Sequence, residues 1–127
     1  MELLNEKDIP YGFKYPETLK KIAVLGLVNL CPWWILDKER TKRLIPIIQR
    51  SYPKRKLIPF AIRQDNDDTA CFEIGKEENV QIIHLGATDG WEQCETYKDC
   101  LEWLKNVLED LRDVDLNDCI MGLNQWR

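Results

Sequence analysis

Apolar and polar residues alternate through the segment Leu57–Leu85, which is the pattern of β-strands that bury one face. Three alternating runs are separated by polar turns at 64–68 and 75–79. The positions on the apolar side are Ile58, Phe60 and Ile62, then Ala70, Phe72 and Ile74, then Val80, Ile82 and His84. Asp and Asn tolerate left-handed backbone and bond to their own turns, so the first turn is a hairpin connection. The pattern predicts an antiparallel meander of three strands.

Two details of these runs predict where the strands lie in the sheet. Pro59 has no N–H to donate, so the first strand is expected at an edge or paired on one side only at that point. The third strand also carries apolar residues on its second face, Ile83 and Leu85. This feature is typical of a central, more buried strand.

Helical periodicity predicts two helices before the meander. The first covers about 16–28, with Pro16 in its first turn. The second covers 37–51 with Asp37 as its N-cap. Pro46 costs about 3 kcal/mol inside a helix, so two short pieces or a kink are expected there.

A third helix is predicted over 97–112, with Thr96 as the N-cap and Asp99 completing a capping-box pattern. Its apolar stripe should cover the sheet and bury Phe60 and Phe72 against Leu101, Leu104 and Leu108. The stripe consists of Tyr97, Cys100, Leu101, Leu104, Leu108 and Leu111, widened by Trp103 and Val107.

The remaining segments complete an α+β architecture of an antiparallel meander sheet with three to five strands, flanked by helices. One domain is predicted over 1–127, which suits its length. Residues 1–15 are predicted to be a loosely structured lead-in whose aromatic residues dock on the body. A short strand is expected at 91–95, and a short docked helix within the C-terminal extension 113–127.

Two adjacent tryptophans, Trp33 and Trp34, stand in a predicted turn at 29–36. They could form a stacking platform or a binding hot spot for a protein partner. Alternatively they fill the core where a helix meets the sheet, since large aromatic side chains dominate cores. The sequence favours the interpretation in which both tryptophans fill the core.

Composition narrows the functional classes. Of the 127 residues, 44% are hydrophobic and 31% are charged, which is typical of a folded chain. The net charge of −4 argues against nucleic acid as a partner, because phosphate binding needs a basic patch. The apolar runs are too short and interrupted to span a bilayer, so no membrane partner is expected.

Eight basic residues nevertheless cluster between positions 38 and 56. An RNA-binding patch is one interpretation, and a solvated surface offset by nearby acids is the favoured one. The cluster comprises Lys38, Arg40, Lys42, Arg43, Arg50, Lys54, Arg55 and Lys56.

Five cysteines without a secretory signal pattern at the N-terminus predict reduced thiols and a cytoplasmic protein. They contain no C-x-x-C pair, so neither a metal site nor a cofactor is expected. His84 could pair with Cys71 or Cys94 to activate a thiolate, but a single histidine at a strand end is more often structural.

The acidic turn formed by Asp65, Asp67 and Asp68 could bind a divalent cation through its carboxylate oxygens. It lacks the glycine and the distal glutamate of an EF-hand loop. A solvated hairpin turn is the favoured interpretation.

The order of four segments resembles the SUKH superfamily, named for the Syd, US22 and Smi/Knr proteins. The segments are YPETLKKIAVLGL, KLIPFAIRQDNDDTACFEIG, VQIIHL and WEQCETYKDCLEWLKNVLED, so the resemblance covers about 15–110. It departs from the family pattern at 27–36, where LVNLCPWWIL stands in place of the usual first helix and the Asn-Gly-Gly-like turn after the second. The resemblance implies an α+β fold, and many bacterial members look like immunity proteins that neutralise a toxin encoded beside them.

Together these observations predict a non-catalytic protein-binding module, with an immunity protein against a polymorphic toxin as the leading hypothesis. An acidic chain suits a basic target such as a nuclease-like toxin domain. A regulatory or scaffolding domain is the alternative, and a metal- or thiol-dependent enzyme is the third. The candidate partner contacts are Asp65, Asp67, Asp68, Glu73, Glu77, Glu78, Glu92, Trp33 and Trp34.

Overall fold

A computed structural model describes residues 1–115 and Asn117, which form one six-stranded antiparallel sheet and three α-helices. The α+β class is confirmed, with one strand more than the predicted maximum. The helix predicted within 113–127 falls on residues outside the described part. The helices are α1 (Glu17–Val24), α2 (Lys38–Ser51) and α3 (Cys100–Asp110). The strands are β1 (Asn29–Leu30), β2 (Trp33–Ile35), β3 (Leu57–Arg63), β4 (Asp68–Glu73), β5 (Val80–His84) and β6 (Gln93–Tyr97).

The sheet has the order β1-β2-β3-β4-β5-β6, so each strand pairs with its neighbour in sequence. The predicted meander is confirmed as β3, β4 and β5. Strand β3 lies inside the sheet, not at its edge, but β2 pairs with it only from Ala61 to Arg63. Pro59 therefore pairs on one side only, with Cys71 of β4.

The two faces of the sheet carry two separate apolar clusters, because successive strand residues point to opposite sides. On one face, Phe60 and Phe72 stack with ring centroids 4.5 Å apart beneath α1 and α3. On the other face, Cys71 and Ile83 pack with Ile48 of α2 and Tyr52 just beyond it. The helices thus cover the sheet from both sides.

Helix α3 is rotated relative to the prediction. Its buried residues are Cys100, Trp103 and Val107, whereas Leu101 is 46% exposed and Leu108 51% exposed. Phe60 and Phe72 are buried as predicted, but the contact of Leu101 and Leu108 with them was wrong. Neighbouring residues on a helix point about 100° apart. Burial of Trp103 and Val107 in place of Leu104 and Leu108 therefore corresponds to a rotation of the helix by about that angle.

The large ring of Trp103 fixes this rotation. It packs edge-on against Phe60 with ring centroids 5.0 Å apart, while Leu104 is only partly buried at the core's margin. The N-cap is Asp99, whose carboxylate accepts the Glu102 N–H at 2.9 Å. Thr96 was the wrong cap because it belongs to β6.

The other helices differ from the prediction at their ends and at the proline. Helix α1 ends at Val24, before Gly26, which adopts a φ of 73° that favours glycine. Helix α2 begins after its predicted cap, Asp37, and continues through Pro46, so the division into two pieces was wrong. The expected strand at 91–95 lies instead at Gln93–Tyr97.

The lead-in and the tryptophan segment are more ordered than predicted. Residues 29–36 contain the hairpin β1–β2, not a simple turn. In the lead-in, Phe13 stacks on Phe72 at 5.2 Å between centroids and Tyr15 is buried, so the predicted aromatic docking is confirmed for both. Across residues 1–115 and Asn117, no helix has the length and apolar character needed to cross a bilayer.

Candidate functional site: an acidic cleft beneath helix α3

A cleft of about 170 Å³ lies between the sheet and the C-terminal half of α3. The sheet supplies its floor, because strands β2 to β6 each place at least one residue there. Helix α3 supplies one wall. The lining residues are Trp33, Arg63, Asp68, Ile82, Glu95 and Tyr97 from the strands, and Trp103, Asn106 and Asp110 from the helix.

Arg63 lies on the floor with its charge already paired. Its guanidinium donates two hydrogen bonds of 2.9 Å to the two carboxylate oxygens of Asp65. The hydrogen bonds raise the pKa of Arg63 and hold that of Asp65 below its usual value. Strand pairing sets Arg63 opposite Trp33, and its guanidinium carbon lies 5.8 Å from the centroid of that ring. The guanidinium thus has a fixed position, and its charge also interacts with Asp68 and Asp110.

Asp68 begins β4 at the mouth of the acidic turn. One of its oxygens lies 2.8 Å from Nδ1 of His84, its cross-strand partner. The other accepts a hydrogen bond of 3.2 Å from the Asn66 amide. These contacts hold the carboxylate in place at the edge of the cleft.

Tyr97 links the sheet to the helix. Its hydroxyl oxygen lies 2.6 Å from Glu95 Oε2 and 3.0 Å from the Asn106 side-chain amide oxygen. A phenol has one proton, so donation to Glu95 requires the Asn106 amide to turn and donate its N–H to the tyrosine oxygen. Burial, together with the Glu95 contact, raises the pKa of Tyr97, so the phenol is neutral at physiological pH.

Asp110 closes the cleft at the end of α3. Within the described part of the chain, its carboxylate has no hydrogen-bond or ion-pair partner. The last turn of α3 holds Glu109 and Asp110 and no basic residue. Acids at a helix C-terminus are unfavourable because that end already carries partial negative charge. Asp68, Glu95 and Asp110 therefore give the cleft an excess of negative charge.

Trp103 forms part of the wall and is 1% exposed. Its indole Nε1 is buried and has no hydrogen-bond acceptor among the described residues. A buried donor without an acceptor is costly, by roughly 1–3 kcal/mol. The cleft therefore has an excess of carboxylates, and its wall contains a buried donor without an acceptor among the described residues.

The structure brings only some of the predicted contact residues together. Asp68 and Trp33 line the cleft, although Trp33 is buried in the core, as the favoured interpretation had it. Asp65 and Asp67 lie on the adjoining turn, where Asp67 adopts a positive φ of 61°. The turn between β4 and β5 carries Glu77 and Glu78 at the opposite end of the strands. Trp34 is half-buried and points to the other face of the sheet from Trp33.

Glu73 and Glu92 lie in ion pairs with Arg55 and not on an open surface. Arg55 donates two hydrogen bonds of 3.0 Å to Glu73 and one of 3.0 Å to Glu92. The Glu92 side chain is only 6% exposed. For Arg55, the expected solvated surface was also wrong, because its side chain is 17% exposed. These residues form an internal ion-pair network that joins the loop before β3 to β4 and β6.

Sequence reasoning missed most of the cleft. It did not single out Arg63, Glu95, Asn106 or Asp110, and it assigned Tyr97 to the apolar stripe of the third helix. One signal was available: the acidic end of α3, which lacks the basic residue that such an end favours. The other residues meet only through strand register and the direction of α3.

In the described part of the chain, none of the three free cysteines is an activated nucleophile. Burial raises the pKa of the Cys71 thiol, and it raises that of Cys100 to about 12. Cys94 donates to the Glu92 carbonyl at 3.6 Å, and burial with Asp68 and Glu95 raises its pKa. A reactive thiol needs a lowered pKa. Cys31 is disulfide-bonded, so the expectation of reduced thiols was wrong there.

In the described part, no three or more His, Cys, Asp or Glu side chains are arranged to hold a metal ion. The carboxylates of the cleft share its lining with Arg63 and with aromatic rings.

Comparison with known proteins yields no match to a family model, a curated protein or a solved structure.

Proposed function

We propose that this chain is a non-catalytic protein-binding module, of the immunity type that neutralises a cognate toxin. The observation that carries the proposal is the unpaired Asp110 carboxylate beside Asp68 and Glu95, in a cleft built on a rigid sheet and helix. Such an arrangement attracts a basic group without changing it chemically. The resemblance to the SUKH superfamily supports the immunity role.

A protein target fits this surface better than nucleic acid does. Phosphates would be repelled by the three carboxylates, and Arg63 is already paired with Asp65. A basic toxin domain, for example one of a nuclease-like kind, would be steered towards the cleft by its charge. The protein is expected to act without a cofactor.

A regulatory or scaffolding domain is the second candidate. It would use the same cleft to bind a basic segment of a larger assembly. The neighbouring gene discriminates between the two. A large secreted protein with a C-terminal toxin domain favours immunity, and a regulatory operon favours scaffolding.

The test is binding to the toxin domain encoded beside this chain, measured by calorimetry, with rescue of growth when both are co-expressed. Asp68→Asn/Asp110→Asn removes two charges at the cleft. Glu77→Gln/Glu78→Gln removes the same charge at the opposite end of the sheet and is the matched control. We expect at least about tenfold weaker binding for the cleft variant only, equivalent to about 1.4 kcal/mol. Equal effects in both variants, or no binding by the wild type, would contradict the proposal.

A further inference from the structure

We infer that the C-terminal extension is fastened to the turn between β1 and β2 by a disulfide between Cys31 and Cys119, and that it covers an apolar surface on α1 and α3. This inference goes beyond the proposed function and does not depend on a toxin partner. It follows from the state of the cysteines, the position of Cys31 and the exposed side chains of the two helices.

The cysteines leave one partner for Cys31. The sequence contains five cysteines. Cys31 is disulfide-bonded, whereas Cys71, Cys94 and Cys100 are free. A disulfide within the chain needs a second sulfur atom. Cys119, which lies outside the described residues, is the cysteine that remains.

The position of Cys31 suits a bond to the segment that follows α3. Cys31 stands in the turn between β1 and β2, shortly before Trp33. The Trp33 ring packs edge-on against α3, with its centroid 5.5 Å from that of Trp103, and it lines the same small cleft as Asp110. The chain from Asp110 to Cys119 can span up to about 30 Å. Cys119 can therefore reach Cys31 from the end of α3.

Exposed apolar side chains stand on α1 and α3, two helices that contact each other. At the end of α1, Val24 is 86% exposed and Leu25 is 70% exposed. On α3, Leu108 lies on the flank roughly opposite Asn106, which lines the cleft. The members of this apolar surface are Val24, Leu25, Leu27, Leu101, Leu108 and Leu111. Single exposed apolar residues are normal, but grouped ones mark a contact surface.

The C-terminal extension is an occupant of matching chemistry. It carries apolar side chains on both sides of Cys119, namely Leu116, Ile120, Met121, Leu123 and Trp126. Burial of these side chains against the apolar surface removes both sets from water, which is favourable. A covalent tether also gives the extension a high effective concentration at the surface, an advantage that a second copy of the chain does not have.

Formation of the disulfide requires an oxidant. Each thiol gives up its proton, the two sulfur atoms join, and the two electrons reduce a low-molecular-weight disulfide, such as oxidised glutathione, to two thiols. The experiments therefore use the full chain equilibrated with oxidised and reduced glutathione.

Peptide mapping tests the connectivity. Trypsin places the five cysteines in five different peptides, because basic residues separate them along the chain. In the oxidised chain, alkylated without reduction, we expect the peptide 22–38 to be joined to the peptide 113–127, with the other cysteines alkylated. Alkylation of Cys31, a bond from Cys31 to another cysteine, or a disulfide-linked dimer overturns the inference.

Methyl NMR tests whether the apolar surface is covered. With ¹³C-labelled leucine and valine, a soluble paramagnetic agent should broaden the Val24 and Leu108 methyl signals at least about twofold more in Cys119→Ser than in the oxidised wild type, because the extension loses its tether. Reduction of the wild type with dithiothreitol should have the same effect. Cys94→Ser is the matched control, since Cys94 is free and exposed, and it should behave as the wild type.

Two outcomes of the NMR experiment would contradict the covering. Equal broadening in the oxidised wild type and in Cys119→Ser overturns the inference. A dimer that dissociates on Leu108→Gln, measured by analytical ultracentrifugation, also overturns it, because the occupant of the apolar surface would then be a second copy of the chain.

Discussion

The guanidinium of Arg55 lies 3.0 Å from the Glu92 carboxylate, and both side chains are largely shielded from water. The same guanidinium meets Glu73 at 3.0 Å. Partly buried charges of this kind are stabilised only while their partners are present, since desolvation of an isolated charge costs several kcal/mol. This network therefore governs both the stability of the fold and its response to acid.

Replacement of Arg55 by Met should lower the free energy of unfolding by about 3–5 kcal/mol at pH 7, because two carboxylates lose their cation. Urea denaturation measures the change. Arg50→Met is the matched control, since Arg50 is exposed on α2 and its loss should cost less than about 0.5 kcal/mol. Equal costs for the two variants would contradict the network.

The cost of Arg55→Met should also depend on pH. Burial raises the pKa of Glu92, but hydrogen bonds from the backbone and Arg55 outweigh it, so the pKa lies below its usual value of 4.5. The contribution of Glu92 to stability is thus complete above about pH 4.5 and is lost as the pH falls through the lowered value. The difference between wild type and variant should shrink from pH 7 to pH 4. A constant difference over that range would show that packing, not charge, causes it.

Alanine substitutions along α3 test its rotation. Trp103→Ala should cost about 3–5 kcal/mol and Leu104→Ala about 2 kcal/mol, because these side chains are buried and partly buried. Leu101→Ala on the exposed face should cost less than about 0.5 kcal/mol. Chemical denaturation measures the free energy of unfolding of the three variants. A large loss of unfolding free energy on Leu101→Ala would instead support the predicted apolar stripe, in which Leu101 faces the core.

The acidic turn is predicted to affect association more than stability. Asp67→Asn should change the free energy of unfolding by less than about 0.5 kcal/mol, because asparagine also tolerates the positive φ at this position. Asp67→Asn/Asp68→Asn should slow association with the partner and weaken its salt dependence. Stopped-flow kinetics at two ionic strengths measure both. If the double variant keeps the association rate and the salt dependence of the wild type, the binding surface lies elsewhere.

Thiol labelling tests the absence of an activated cysteine. With iodoacetamide at pH 7.5, the folded protein should be labelled slowly at Cys94 and not at Cys71 or Cys100, because all three pKa values are raised and the latter two side chains are buried. Peptide mass spectrometry locates the label, and the urea-unfolded chain is the control for accessibility. Rapid labelling of Cys94 would revive the thiol-enzyme hypothesis.

The meander could be predicted from the sequence because alternation with a period of two is a local property. The rotation of α3 could not. Two apolar stripes lie one residue apart, one containing Cys100, Trp103 and Val107 and the other Leu101, Leu104 and Leu108. Local periodicity does not choose between them. The choice is made by the contact of Trp103 with Phe60 and Trp33 across the sheet.

The cleft was beyond prediction for a related reason. Asp68 was identified by its place in an acidic turn, but its proximity to Asp110 depends on the direction in which α3 crosses the sheet. Glu92 looked like an ordinary surface acid, and Arg55 like one member of a basic run. Their pairing joins residues that are distant in sequence, which composition and spacing do not reveal.

The sequential order of the strands has a consequence for how the protein reaches its folded state. Each hairpin from β3 to β6 closes a short loop, and short loops lose little entropy on closure. The sheet can therefore assemble early, by local steps. The cleft forms only when α3 docks on the finished sheet. A ligand of the cleft would therefore bind only the completely folded protein and would slow its unfolding.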